Sequence, residues 1–198
     1  MKKEVTYFRI ENFYGGNQSW FLDPFMKLGG CAAAAACDTC INLAKHHQKV
    51  NLFPFSLNPI KKEEYIQFST MMKPFLRPRI GGITSLNVFV KGFEKYIASR
   101  GRTGILVSAF AGERELKDAI EIIRYQIDQD LVIPYLLLRH KKSHFHHYVW
   151  HWFLIVGYEE KEDGFFVKVA TYGNYRWLSL AELWASGYRK KGGMIIIE

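Results

Sequence analysis

The chain of 198 residues has the length of one domain, and its 48% hydrophobic content is enough to build a core. The net charge of +8 raises nucleic acid as a partner. The lysines and arginines are dispersed as pairs and one triplet without a basic helix, which argues against direct nucleic-acid binding. The chain holds no apolar run near the roughly 20 residues that span a bilayer and no signal-peptide core at its start. We expect one cytoplasmic domain, residues 1–198, without a membrane partner.

The first part of the chain predicts helices. Residues 31–47 follow two glycines and are strong helix formers, including five consecutive alanines that make a slim helix able to sit centrally. Helices are also predicted over 61–73 and, after a loop, over 85–99, where apolar residues follow helical spacing. The segment 113–130 has the clearest amphipathic pattern in the chain.

The later part of the chain predicts strands. A hairpin is indicated by two apolar segments around "KEDG", and Pro134 argues for an edge position or a bulge in its strand. Ser179 and Glu182 have the spacing of a capping box at the start of a short helix. Helices followed by mostly antiparallel strands predict an α+β fold. The strand candidates are 103–110, 131–138, 151–160, 164–173 and 192–198.

Cys31 stands at the predicted start of the first helix, directly after Gly29 and Gly30. A helix N-terminus stabilises a thiolate through its unpaired N–H groups and its dipole. Cys37 and Cys40 lie deeper in the same helix. Cys31 is therefore the candidate nucleophile.

His151 is the candidate base, because it begins an apolar strand and would lie at the end of the sheet. A hairpin turn centred on Lys161 would pair His151 with Thr171, and a cross-strand neighbour can orient an imidazole. A register one residue different would bring Ala170 or Tyr172 opposite His151 instead. Asn174 is a second candidate to orient the ring, and His147 has the same strand parity and is the fallback base.

The loop "YGGNQSW" supplies an amide donor ahead of the helix. An oxyanion is held by such a side chain together with the backbone N–H of the nucleophile. Of Asn17 and Gln18, we favour Gln18 because its side chain reaches further.

These segments resemble the papain-like cysteine peptidases, and within them the bacterial C39-like branch. The matching residues are "GGNQSWF" ahead of "LGGCAAAAACD", then "HWFLIVGYEE" and "GFFVKVATYGNYRWLSLAELW". The resemblance implies a papain-like fold, in which a central helix carries the cysteine and packs on a mostly antiparallel sheet carrying the histidine. It also implies Cys31 as nucleophile, His151 as general base and Gln18 as oxyanion donor. Thr171 falls where the family usually has Asn or Asp.

Other patterns carry competing interpretations. "CDTC" has the spacing of a redox motif but lies within a helix, and Cys37 and Cys40 are expected in the core. A metal site built from these two cysteines with His46 and His47 would need ligands from a second element. Five histidines over 140–151 allow a zinc or pH-sensing role. We predict no metal and no cofactor.

The leading hypothesis is a thiol hydrolase that acts on a peptide or another amide or acyl substrate. The thiolate of Cys31 attacks the carbonyl, and the His151 imidazolium protonates the leaving amine. The alternative is a papain-like fold that serves as a binding module or an acyltransferase, suggested by Thr171. A basic nucleic-acid-binding domain is the third hypothesis. Substrate identity and oligomeric state do not follow from the sequence.

Overall fold

A computed structural model describes residues 1–79, 81–101 and 104–198. Ile80, in the predicted loop before residue 85, and Thr103, the first residue of the strand predicted over 103–110, lie outside these residues. The helices are α1 (Pro24–Gly29), α2 (Cys31–His46), α3 (Lys62–Met72), α4 (Leu86–Ser99), α5 (Leu116–Asp128) and α6 (Leu180–Trp184). The strands are β1 (Lys2–Glu4), β2 (Arg9–Ile10), β3 (Phe13–Tyr14), β4 (Val107–Ala111), β5 (Ile133–Leu137), β6 (His151–Lys161), β7 (Gly164–Thr171), β8 (Asn174–Ser179) and β9 (Gly192–Ile197).

The strands form an antiparallel sheet in the order β4-β9-β5-β6-β7-β8, and β2 and β3 form a separate pair. The long strand β6 pairs with β5 along its first half and with β1 along its second half. This arrangement confirms the predicted α+β class. The edge position suggested by Pro134 is wrong, because β5 lies inside the sheet. Pro134 is tolerated there because the pairs with β9 begin only at Tyr135.

Helix α2 occupies the predicted central position. Thirteen of its sixteen residues are buried, and it packs against α3, β5 and β6. A helix that is apolar on all sides belongs in the interior, and the small alanine side chains let these neighbours approach closely. Within the described residues, no helix combines the length and the apolar character needed to cross a membrane.

The short helix α1 leads directly into α2 and was not anticipated from the sequence. Asp23 caps it by accepting the Met26 N–H at 2.9 Å, and Pro24 occupies its first turn. Gly30 joins the two helices. A Cβ at this position would lie 2.3 Å from the carbonyl oxygen of Met26, so a larger residue would clash. The glycine therefore lets the chain restart as a helix at Cys31.

The β6–β7 hairpin differs from the predicted register. Lys161 pairs with Gly164 across a two-residue turn, and a bulge between Ile155 and Gly157 shifts the pairing. Leu154 then pairs with Ala170, and continuing this register places Thr171 opposite Phe153. The predicted direct pairing of His151 with Thr171 is therefore wrong. His151 instead lies diagonally across from Thr171, a separation that longer side chains can bridge.

Candidate active site

Residues from four separate elements line one small buried pocket of about 20 Å³, room for about one water molecule. Cys31 begins α2, His151 begins β6, Thr171 ends β7 and Gln18 lies in a 3₁₀ turn ahead of α1. Cys31 and His151 are only 4% and 5% exposed. Tyr172, which is 44% exposed, lines the same pocket. The fold thus brings four of the five predicted site residues together beneath Tyr172.

The imidazole of His151 is held by two neighbours from the end of β7. Its Nε2 lies 2.7 Å from Thr171 Oγ1, and its Nδ1 lies 3.5 Å from the Tyr172 hydroxyl. The rings of His151 and Tyr172 stack almost parallel, with centroids 4.7 Å apart. With its hydrogen on Nε2, the ring donates to Thr171 and Nδ1 is the acceptor, which faces the Tyr172 hydroxyl.

The Cys31 thiol is not joined to His151 by a hydrogen bond among the described residues. The backbone N–H groups of Trp152, Ala32 and Cys31 itself stabilise a thiolate, but burial outweighs them and raises the pKa of the Cys31 thiol. Burial also lowers the pKa of His151 to about 4. The expected lowering of the thiol pKa by the helix N-terminus is therefore overridden by desolvation. Near neutral pH the pair consists of a thiol and a neutral imidazole.

Gln18 lies at the wall of the pocket with an incompletely satisfied amide. Its Nε2 donates to the Lys27 carbonyl at 3.1 Å, an interaction that fixes the orientation of the amide. The Oε1 atom is buried and has no partner among the described residues. Because an amide nitrogen carries two hydrogens, one donor of Gln18 remains for a further acceptor.

Asn174 does not reach the imidazole. It pairs with Thr171 across the β7–β8 turn, and its side-chain oxygen accepts the Tyr175 N–H at 2.8 Å. It lines a neighbouring cleft together with His147, the fallback base, which is exposed. Local capping thus occupies Asn174, and Thr171 is the residue that contacts His151.

The remaining cysteines and histidines have structural environments. Cys37 and Cys40 are fully buried in the core, and burial raises the pKa of each thiol well above its usual value. His140 is buried, with Nε2 2.9 Å from the Glu182 carbonyl and Nδ1 accepting the Lys142 N–H. No group of three His, Cys, Asp or Glu side chains within the described ranges is arranged to hold a metal ion.

Asp38 is a site residue that the sequence interpretation missed. It lies seven residues after Cys31 on α2 and lines the same pocket. Its buried carboxylate accepts hydrogen bonds from the Tyr7 hydroxyl at 2.6 Å, the Tyr65 hydroxyl at 2.7 Å and the Gly16 N–H at 3.0 Å. Burial raises the pKa of Asp38 to about 6, against the effect of these donors. The signal available in the sequence was an acidic residue within an otherwise apolar helix.

The Gly16 contact extends to the turn after β7. Gly16 accepts the Gly173 N–H at 2.9 Å, and Asn17 donates its side-chain amide to the Tyr172 carbonyl at 3.0 Å. A Cβ at position 16 would lie 1.8 Å from the Tyr65 hydroxyl oxygen, so only glycine fits. Asp38 therefore ties the helix of the nucleophile to the loop of Gln18 and to the turn that follows Thr171.

The two buried titrating groups make opposite contributions to stability between about pH 4 and 6.5. The pKa of His151 is lowered, so the unfolded state binds more protons and the His151 contribution is lost as the pH falls from 6.5 to 4. The pKa of Asp38 is raised, so its contribution is present at low pH and is lost as the pH rises from about 4 to 6. Each shift corresponds to about 3 kcal/mol, and the two contributions change in opposite directions with pH.

The Asp38→Asn variant should reveal how the free energy of unfolding depends on pH through His151. Relative to wild type, its free energy of unfolding should fall more steeply between pH 6.5 and 4, because the opposing Asp38 term is gone. Urea denaturation across this range measures the slopes. Asp163→Asn, at an exposed turn position, is the control and should keep the wild-type slope. Equal slopes for Asp38→Asn and wild type would contradict the prediction.

A comparison of the chain with protein-family models finds no match, and a comparison with curated proteins also finds none. The functional interpretation therefore depends on the pocket itself.

Proposed function

We propose that the protein is a papain-like cysteine hydrolase that cleaves an amide or related acyl bond. The observation that supports this most is the convergence of Cys31, at a helix N-terminus, with His151 in one pocket where Thr171 binds the far nitrogen of the imidazole. A nucleophile, a base and a group that orients the base are the three parts that acyl transfer by a thiol requires.

The environment of the pair favours general-base attack over a preformed ion pair. As the Cys31 sulfur forms a bond to the substrate carbonyl carbon, His151 Nδ1 takes the thiol proton. The carbonyl π electrons move to the oxygen, which becomes an oxyanion. The free hydrogen of Gln18 Nε2 and the N–H groups at the start of α2 are the available donors for this charge.

The tetrahedral intermediate then collapses as the carbon–nitrogen bond breaks and His151 gives its proton to the departing amine. This leaves a thioester on Cys31 and a neutral imidazole. Water attacks the thioester with His151 again acting as base, and the carboxylic acid and the free thiol are released. Thr171 Oγ1 accepts a hydrogen bond from His151 Nε2 throughout and so keeps Nδ1 directed toward the thiol and the substrate.

Substrate entry requires a change at Tyr172. The pocket holds about one water molecule, whereas an acyl group is larger. The backbone of Tyr172 is anchored by the Asn17 amide, but its side chain is 44% exposed and covers His151. Rotation of this side chain alone would uncover the imidazole and the thiol.

Cys31→Ala should abolish hydrolysis and leave the fold intact, because alanine at this helix start removes only the sulfur. Turnover of a mixed library of fluorogenic peptide amides measures the effect, and circular dichroism checks the fold. Cys37→Ala is the matched control on the same helix and should keep its activity per folded molecule. Turnover by Cys31→Ala would exclude the mechanism.

Thr171→Val should lower kcat by about tenfold or more while Thr171→Ser keeps most of it. Valine nearly matches the shape of threonine but leaves the Nε2 hydrogen of His151 buried without an acceptor, at a cost of about 1–3 kcal/mol. Steady-state kinetics on the same amides measures the ratio between the two variants. If valine and serine behave alike, the hydroxyl does not orient the ring.

A binding module or an acyltransferase is the second candidate, favoured by the buried site and by a hydroxyl at position 171.

Labelling with iodoacetamide separates an activated thiol from an inert one. Tyr172→Ala should speed the labelling of Cys31 severalfold by opening the pocket, and a further His151→Ala change should reverse the gain. Tyr172→Phe, which keeps the ring, should label at the wild-type rate. Labelling of Cys31 no faster than Cys37 in Tyr172→Ala would favour the binding module.

A further inference from the structure

A second cleft opens beside the candidate active site, next to Trp150, the residue that precedes His151. It has a volume of about 420 Å³, and Arg139, Trp150, Tyr188, Arg189 and Lys190 are among the side chains that line it. All five of these residues are exposed at the surface. The cleft is thus large enough for a substituent of a substrate, and its walls combine cationic and aromatic groups.

Arg139 is the central cation of this cleft. Its guanidinium carbon lies 5.7 Å from the centroid of the Trp150 ring and 5.9 Å from that of Tyr188. These two contacts hold the side chain in place through cation–π attraction. Within residues 1–79, 81–101 and 104–198, the guanidinium has neither a hydrogen-bond acceptor nor an ion-pair partner. A positioned guanidinium with free donors suits a carboxylate or a phosphate.

The lining of the cleft carries an excess of positive charge. Arg139, Arg189 and Lys190 contribute three cations, and no Asp or Glu is present among the described residues of the lining. Glu182 is bound instead to Lys142 and His144. Clustered like charges repel one another and draw in counter-ions of opposite sign. The cleft therefore favours an anionic occupant.

Two sets of contacts connect the cleft to the elements that carry the candidate active site. On the sheet side, Trp150 is bonded directly to His151 along the chain. On the helix side, the Trp150 ring packs against Gly81. Its Cζ3 atom lies 3.5 Å from the position that a Cβ would occupy at Gly81. The carbonyl oxygen of Arg79, two residues before Gly81, lies 3.0 Å from the position that a Cβ would occupy at Gly29. Gly29 in turn lies two residues before Cys31, so the segment that carries Arg79 and Gly81 contacts both the Trp150 wall of the cleft and the chain leading into α2.

We propose that this cleft is the anion subsite of the candidate hydrolase, so that its substrate is an acyl compound carrying a carboxylate or phosphate group beside the scissile bond. The proposal rests on the proposed function for the reaction at Cys31. Arg139 binds the anion through its free donors, Arg189 and Lys190 add favourable charge, and Trp150 and Tyr188 hold Arg139 in position.

The first test compares the rates at which matched electrophiles label Cys31. Chloroacetyl peptides with amidated ends, glycine spacers of different length and either glutamate or glutamine differ only in one negative charge. At one spacer length the glutamate compound should react about tenfold faster, the gain typical of a hydrogen bond to a charged group. Arg139→Gln should remove this preference, and Arg139→Lys should keep only part of it. Lys117→Gln, an exposed charge change on α5, should leave it intact.

The second test measures binding without chemistry, on Cys31→Ala protein. Succinate and inorganic phosphate are titrated separately while the indole N–H signals of the tryptophans are followed by NMR, with Trp150 assigned from Trp150→Phe. Saturable shifts of the Trp150 signal at millimolar anion, absent in Arg139→Gln, support the subsite. The stronger of the two anions identifies carboxylate or phosphate as the preferred group.

The outcomes separate the two proposals. Equal labelling of Cys31 by the glutamate and glutamine compounds at every spacer overturns the subsite and leaves the hydrolase standing. Failure of both compounds to label Cys31 even in Tyr172→Ala protein, with anion binding at Arg139 retained, counts against the hydrolase alone. No saturable shift with either anion overturns the subsite. Far tighter, steeply salt-dependent binding of a single-stranded oligonucleotide to this cleft would also overturn it in favour of a nucleic-acid site.

Discussion

A carboxylate placed inside a protein must find hydrogen-bond donors, and Asp38 imposes this constraint on the whole site. Its three donors come from the segment between β1 and β2, from the loop before Gln18 and from α3. Three pieces of chain that are distant in sequence are thereby held against the helix of Cys31. The loop then continues the connection to the turn at Tyr172 and Gly173. The buried Asp38 carboxylate thus connects the helix of Cys31 with the loop of Gln18 and, through that loop, with the turn that follows Thr171.

The burial of the pocket has two opposing effects. It raises the pKa of the Cys31 thiol and lowers the pKa of His151, and so disfavours the charged form of each group. The same exclusion of water strengthens every hydrogen bond that a bound oxyanion would receive. For the proposed hydrolase, a substrate that displaces the Tyr172 side chain would experience both effects.

The sequence predicted the elements that depend on local patterns. Helix α2, the hairpin of β6 and β7 and the capped helix after Ser179 all follow from residue spacing and propensity. The register of the hairpin did not, because the two-residue turn lies at Glu162 and Asp163 and not at Lys161, and a bulge at Val156 then shifts the pairing back by one residue. The contact between His151 and Thr171 is diagonal and not directly cross-strand, so it follows from a register that differs from the predicted one. Burial, which decides the pKa values of Cys31 and His151, depends on tertiary packing and was not visible in the pattern.

The bulge in β6 also decides how the chain can change in length. Val156 is the extra residue, and its carbonyl accepts the Val5 N–H at 2.9 Å, so the N-terminal segment stabilises the irregularity. Side chains alternate between the two faces of a strand, and one residue more or less exchanges the faces. The bulge already absorbs the extra residue: without Val156, Ile155 would still lie opposite Val169 and Gly157 opposite Lys168, so the strand would become regular and His151 would keep its face. If Val156 were instead accommodated in a regular ladder, His151 would face away from Thr171. The position of the candidate base therefore depends on the bulge, and β6 can lose its extra residue without displacing His151.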